Sequence, residues 1–111
     1  MLKKLTQQYI EAFNDRNLEG VANLLDENFA LEDPVIKRLE GKDKCLESIS
    51  NIFNSCKTLS FGAKNIYQDL DTTFIEFSLT IDNTILKGID VICWQGNKIK
   101  EMRAYVYEIQ K

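Results

Sequence analysis

The sequence predicts an α+β fold, three helices followed by an antiparallel meander of strands. Apolar residues recur at three- and four-residue steps in three stretches of the first half, the signature of helices with one buried face. From Leu59 onward the pattern changes to alternation of period two, cut by short polar turns, the signature of strands. Helices gathered ahead of consecutive strands separate this pattern from an alternating α/β one. The 111 residues fit one domain spanning 1–111, long enough to form a core without disulfides or metal.

Residues Leu2 to Asn14 form the first helix in this reading, with Leu2, Leu5, Tyr9 and Phe13 on one stripe and Ala12 beside them. Asn14-Asp15-Arg16-Asn17 interrupts it, and Asn17 is placed to cap a second, short helix whose apolar side is Leu18, Val21, Ala22, Leu24 and Leu25. Asn28 to Asp33 then alternates as a strand. Phe29, Leu31 and Asp33 share the more apolar face, so an acid stands in line with core residues. Pro34 ends that strand or holds it at an edge, which puts Asp33 at the inner rim. The plainer alternative is an aspartate that only starts a turn before proline. Val35 to Leu39 is a short arm or weak strand closed by Gly41. Lys42 to Cys56 is the third helix, with Cys45, Leu46, Ile49, Ile52, Phe53 and Cys56 as its core stripe.

Strands are expected at Leu59 to Tyr67, Thr72 to Ile81, Ile85 to Trp94 and Ile99 to Ile109, joined at residues 68–71, Asp82-Asn83 and Gln95-Gly96-Asn97. The strand Ile85 to Trp94 is apolar on both alternate faces from Ile89 onward, as a central strand is, yet carries Asp90 in its middle. Burying an ionised carboxylate is costly, and a buried acid answers by keeping its proton. The competing reading is a structural acid that meets water or an arginine. In the last strand Met102, Ala104 and Val106 share one face, and Arg103, Tyr105 and Tyr107 the other.

Composition narrows the chemistry. A net charge of -3 gives no basic footprint, so nucleic acid is not an expected partner. No apolar run approaches the roughly 20 residues that span a bilayer, so no membrane partner is expected. Met1-Leu2-Lys3-Lys4-Leu5 runs into polar Thr6-Gln7-Gln8 rather than a signal-peptide core, which makes a cytoplasmic location the expectation. Cys45, Cys56 and Cys93 are odd in number and widely spaced, fitting reduced core thiols. With no histidine in the chain, His-dependent nucleophilic triads and the usual His-based metal sites are excluded. Any general acid or base must be Asp, Glu, Tyr, Lys or Cys.

Three polar residues thus fall on apolar faces of separate elements: Tyr9, Asp33 and Asp90. They are expected to converge on a cavity walled by Phe13, Phe29, Leu31, Phe53, Trp94, Met102 and Val106. The order Tyr9-Ile10-Glu11-Ala12-Phe13, Glu32-Asp33-Pro34, Gly41 before a helix, Ile89-Asp90-Val91 and Met102-Arg103-Ala104-Tyr105 resembles the nuclear transport factor 2-like superfamily. It is most similar to the SnoaL-like and ketosteroid isomerase-like branch, over about Leu5 to Glu108. The resemblance implies a cone-shaped α+β barrel, a strongly curved sheet wrapped over three helices, often paired as a homodimer through the outer sheet face.

Ketosteroid isomerases shift a proton beside a carbonyl through a dienolate, without a cofactor, and hold its oxygen with a tyrosine and a protonated acid. The resemblance places the base on Asp33, the oxyanion tyrosine on Tyr9 and the protonated acid on Asp90. The expected function is a proton-transfer enzyme acting on a small apolar carbonyl compound. The alternatives are a non-catalytic pocket for a hydrophobic ligand and an interaction module. Leu25 and Ile49 stand where family isomerases often carry supporting tyrosines. Cyclases and dehydratases of this superfamily usually rely on histidine, absent here. Epoxide hydrolases of the fold use an Asp-Arg-Asp set, for which Arg103 is the candidate, but its phase sets it opposite Met102.

Overall fold

A computed structural model describes residues 1–35 and 37–109 of the chain. Its elements run α1 (Leu2–Asn14), α2 (Leu18–Ala22), β1 (Leu25–Asp33), β2 (Lys37–Glu40), α3 (Lys42–Ser55), β3 (Leu59–Asp69), β4 (Thr72–Ile81), β5 (Thr84–Gln95) and β6 (Lys98–Glu108). Six strands form one curved open sheet in the order β2-β1-β6-β5-β4-β3. Every neighbouring pair is antiparallel except β1 with β6, which is parallel. The three helices cover its concave face, the cone arrangement that the resemblance implies. Among the described residues no helix is long and apolar enough to cross a membrane.

The sheet bends because its strands are irregular at defined places. Register shifts occur between Ala63 and Asn65 in β3, between Cys93 and Trp94 in β5, and between Leu25 and Ala30 in β1. Such bulges tighten twist and re-aim side chains. Gly88 pairs with Val106, and a Cβ there would sit 2.0 Å from the Tyr105 carbonyl oxygen, so only glycine permits that approach of β5 to β6.

The helices are fastened by side chains that complete backbone hydrogen bonding. Asn17 caps α2 by accepting from the Gly20 amide at 3.0 Å, as its position in the sequence suggests. Arg16 donates to the carbonyls of Phe53, Cys56 and Lys57, satisfying the C-terminal end of α3. Gly41 precedes α3 with φ of 103°, and its amide bonds the Phe29 carbonyl at 2.8 Å. A residue with a Cβ is strained at that angle.

One boundary differs from expectation. Leu24 and Leu25 were assigned to the second helix, but α2 ends at Ala22, and Leu25 opens β1 opposite Ile99. The Ile99 amide bonds the Leu24 carbonyl at 2.7 Å. A partner more than seventy positions downstream, invisible to local periodicity, converts the end of a helical pattern into strand. The arm expected over Val35 to Leu39 resolves into β2, paired with β1 as Asp33↔Lys37 through Ala30↔Glu40. Ile36, within that arm, lies outside the described residues.

Candidate functional site

The β5 register fixes what surrounds Asp90. It lies between Ile75 of β4 and Ala104 of β6, in the row next to Thr73, Ile92 and Met102. These residues point to the concave side: Thr73, Ile75 and Ile92 are fully buried, and Asp90 itself is 5% exposed. β1 pairs Leu31 with Met102 and Glu32 with Arg103, so one further step sets Asp33 abreast of Ala104. Asp33 and Asp90 therefore occupy one row with a strand between them, about 10 Å apart along the sheet. The residue between them is alanine, which leaves the space above that strand open.

Tyr9 comes from the opposite wall. It lies on α1, 4% exposed, its ring 6.0 Å from Phe13 and 6.3 Å from Phe61 between centroids. The helix is held in place by a buried chain of hydroxyls. Trp94 Nε1 can only donate, and it donates to Thr73 Oγ1 at 2.9 Å. Thr6 Oγ1 gives its proton to the Leu2 carbonyl at 2.8 Å, so the 2.8 Å contact between the two threonines must run from Thr73 to Thr6. Every donor in this chain is used. Thr6 is three residues before Tyr9 on the same side of the helix.

The three polar groups line one apolar cavity of about 170 Å³, together with Phe13, Phe29, Leu31, Met102 and Val106. No lysine or arginine contributes to that wall. Among the described residues the Tyr9 hydroxyl and the Asp90 carboxyl have no hydrogen-bond partner. No buried side-chain nitrogen or oxygen among them is both enclosed and unsatisfied, so these two groups open into the cavity. Asp33 stands at the rim, half-buried, with Oδ1 accepting from the Val35 amide at 2.8 Å. It thus starts a turn before proline and also lines the cavity.

Electrostatics link the three. Burial first, and the Asp33 charge second, push the Asp90 carboxyl up to about 7. Burial, and then the Asp90 carboxylate, push the Tyr9 phenol far above its ordinary value. Near neutral pH Tyr9 is a hydroxyl donor, and Asp90 is poised between donor and acceptor.

Two expected wall residues stand elsewhere. Phe53 is buried behind Phe13, edge-on with centroids 5.1 Å apart, and does not line the cavity. Trp94 does face the concave side, but the bulge at Cys93 and Trp94 seats it beneath Thr73, where its N–H serves the hydroxyl chain. Sequence reasoning also missed Phe61 and Phe77, which complete the aromatic wall. Their inward phase was readable, but which alternate face of those strands turns inward depends on pairing. Arg103 lies on the outer face, bonded to Glu101 and 3.7 Å from Cys93 Sγ, away from both aspartates. A larger open groove of about 540 Å³ runs on the outer face past Gly62, Ser78, Lys87 and Tyr107, and none of the three polar groups lines it.

The comparisons with known proteins agree with this architecture. The model of the SnoaL-like domain family matches residues 6–102. No curated protein matches the chain by sequence. Among solved structures, an NTF2-like protein of unknown function from Cytophaga hutchinsonii is similar with a TM-score of 0.84 at 13% identity, over 96% of this chain and 90% of that one. A SnoaL-like protein of unknown function from Burkholderia thailandensis gives 0.84 at 15% identity, over 95% and 93%. An LEH-like epoxide hydrolase from M. tuberculosis gives 0.78 at 14% identity, over 94% and 80%. At these identities the likeness is one of fold.

Proposed function

The chain belongs to the SnoaL-like domain family, and on that premise we propose that it is a cofactor-independent proton-transfer enzyme that isomerises a small, apolar, unsaturated ketone. In this reading the Asp33 carboxylate removes the proton between the carbonyl and the double bond. The electrons move onto the carbonyl oxygen, giving a dienolate held by hydrogen bonds from the Tyr9 hydroxyl and the protonated Asp90 carboxyl. Asp33 then returns the proton to the far end of the dienolate, and the double bond ends conjugated with the carbonyl. No oxidant or metal enters this balance.

The observation that carries the proposal is the pair of buried donors, Tyr9 and Asp90, that open without protein partners into an apolar cavity edged by a second acid. Folds leave buried polar groups unpaired rarely, and a ligand oxygen is what such a pair fits. Size selects the substrate class. A cavity of about 170 Å³ is close to the roughly 150 Å³ that accommodates benzene, and below the roughly 300 Å³ at which drug-sized sites begin. A one-ring ketone fits that space, and a four-ring steroid does not.

The test is conversion of a one-ring β,γ-unsaturated cyclohexenone, followed by absorbance of the conjugated product. Wild type should exceed Asp33→Asn by about 10²- to 10⁴-fold, the usual worth of a positioned base. Equal rates in the two proteins sink the reading for this substrate and leave a binding pocket without turnover.

We also propose that two copies pair through the outer sheet face. Tyr105 and Tyr107 are 56% and 60% exposed there, with Ile89 and Val91 half-buried beside them. Large aromatic residues on a flat strand surface are the composition of an interface core. Native mass measurement should give a dimer, and a Tyr105→Lys, Tyr107→Lys double variant a monomer. A monomeric wild type rejects this pairing.

A further inference from the structure

We propose that the cavity also binds small hydrophobic ammonium ions, holding one ring or a short alkyl group against its aromatic wall and the charged nitrogen between Asp33 and Asp90. This site is set by the cavity alone and does not depend on turnover.

The wall is chemically one-sided. Its ionisable side chains are Tyr9 from α1, Asp33 from β1 and Asp90 from β5, while α3, β3, β4 and β6 contribute apolar side chains only. Two acids therefore face one space with no cation of the protein to balance them. They repel each other, as the effect of Asp33 on Asp90 records. A ligand cation placed above Ala104, in the row that both acids share, meets two carboxylates at once. Attraction between opposite charges is strong where water is excluded, and each acid gains the counter-charge the fold withholds.

The rest of the wall suits the same ligand. Tyr9, Phe13, Phe61 and Phe77 form a connected set of rings with centroids 5.1 to 6.3 Å apart. Aromatic faces attract cations through the ring quadrupole, by about 0.5–2 kcal/mol each according to how dry the site is. An N–H of the ammonium also supplies the hydrogen bond that the buried Asp90 carboxyl lacks. An anion of the same size meets only repulsion.

Binding of such a cation must be linked to proton release, because the ammonium prefers Asp90 ionised while the empty cavity prefers it protonated. No other ionisable group faces Asp90 from the elements packed against it: its neighbours on β4 and β6 are Ile75 and Ala104, leaving Tyr9 and Asp33.

The experiment is isothermal titration of the full-length chain with benzylammonium, benzyl alcohol and benzoate at pH 6 and pH 8, where the amine remains cationic. Benzylammonium should bind about tenfold or more tightly than benzyl alcohol at pH 8, a preference that shrinks at pH 6. Benzoate should not bind. Titrations at pH 7 in two buffers of different ionisation enthalpy should show a proton leaving the protein per ammonium bound. Asp90→Asn should remove the proton release and most of the preference while keeping benzyl alcohol affinity. Wild type alone is decisive where that variant folds poorly: alcohol bound as well as ammonium at pH 8, or ammonium bound with no proton release, overturns the proposal. Neither result touches the isomerase reading, which the cyclohexenone assay tests separately.

Discussion

Asp33 and Asp90 stand in one row on the concave face of the sheet, with only the methyl group of Ala104 between them. Two acids on adjacent strands would crowd each other, and two acids further apart would not share a ligand. One intervening strand, about 5 Å to either side, leaves them electrostatically aware of each other across a gap the width of one ring.

Ala104 therefore controls access to both acids. Replacing it with isoleucine should fill the gap and lower phenol affinity by about tenfold or more, because the added atoms occupy the ligand's volume. The half-buried setting of Ala104 should let the fold survive. Titration with phenol, beside a thermal melt, separates lost space from lost fold. Unchanged phenol affinity in a folded variant would place the ligand elsewhere.

Asp90 should make the protein less stable as pH rises. Its carboxyl titrates near 7 in the native state and near its ordinary value of 3.8 when unfolded. Below about pH 4 both states hold the proton and the group has no effect. Between there and 7 the native state keeps a proton that the unfolded state has lost, so stability declines with pH, by up to the order of 4 kcal/mol. Asp90→Asn, close in shape, should flatten that slope and exceed wild type in stability at pH 8. Urea denaturation from pH 4 to 8 measures it, and parallel slopes in the two proteins would contradict it.

The directed chain from Trp94 through Thr73 to Thr6 predicts unequal losses. Thr73→Val orphans the buried Trp94 N–H, a cost of about 1–3 kcal/mol. Thr6→Val leaves Trp94 satisfied and removes only the acceptor of the Thr73 proton, so it should cost less. Equilibrium unfolding of both variants checks the order. Equal losses would mean that the hydroxyl direction is not as assigned.

Gly88→Ala should be among the most damaging single-methyl additions in the chain. Its Cβ would meet the backbone of Tyr105, which cannot turn aside as a side-chain end can. A loss of about 3 kcal/mol or more is expected, against well under 1 kcal/mol for the same change at Gly62, whose nearest contact would be 3.9 Å. Thermal melts of the pair decide it.

Much of this arrangement was legible in the chain because the deciding signals are local. Tyr9 falls on a stripe with Leu5 and Phe13. Asp90 interrupts an apolar strand, and Asp33 keeps phase with Phe29 and Leu31 before a proline. What could not be read depends on distant partners. Leu25 becomes strand through Ile99, and Trp94 is re-aimed by a bulge against β6. Phe53 has the right phase to be buried, but phase cannot tell a residue that faces a cavity from one packed behind it. The meaning of Ala104 was equally hidden, since a small residue reads as a gap only once its neighbours on both sides are known.

The parallel pairing of β1 with β6 has a consequence for how the chain is made. β1 carries Phe29, Ala30 and Leu31, yet apart from the four-residue β2 its sheet partner is a strand whose residues begin at Lys98. At synthesis rates of about 5–20 residues per second, β1 waits several seconds on the ribosome with one edge unmet and an apolar face uncovered. Over that interval the nascent chain depends on the earlier helices, or on a chaperone, to keep β1 from the wrong partner.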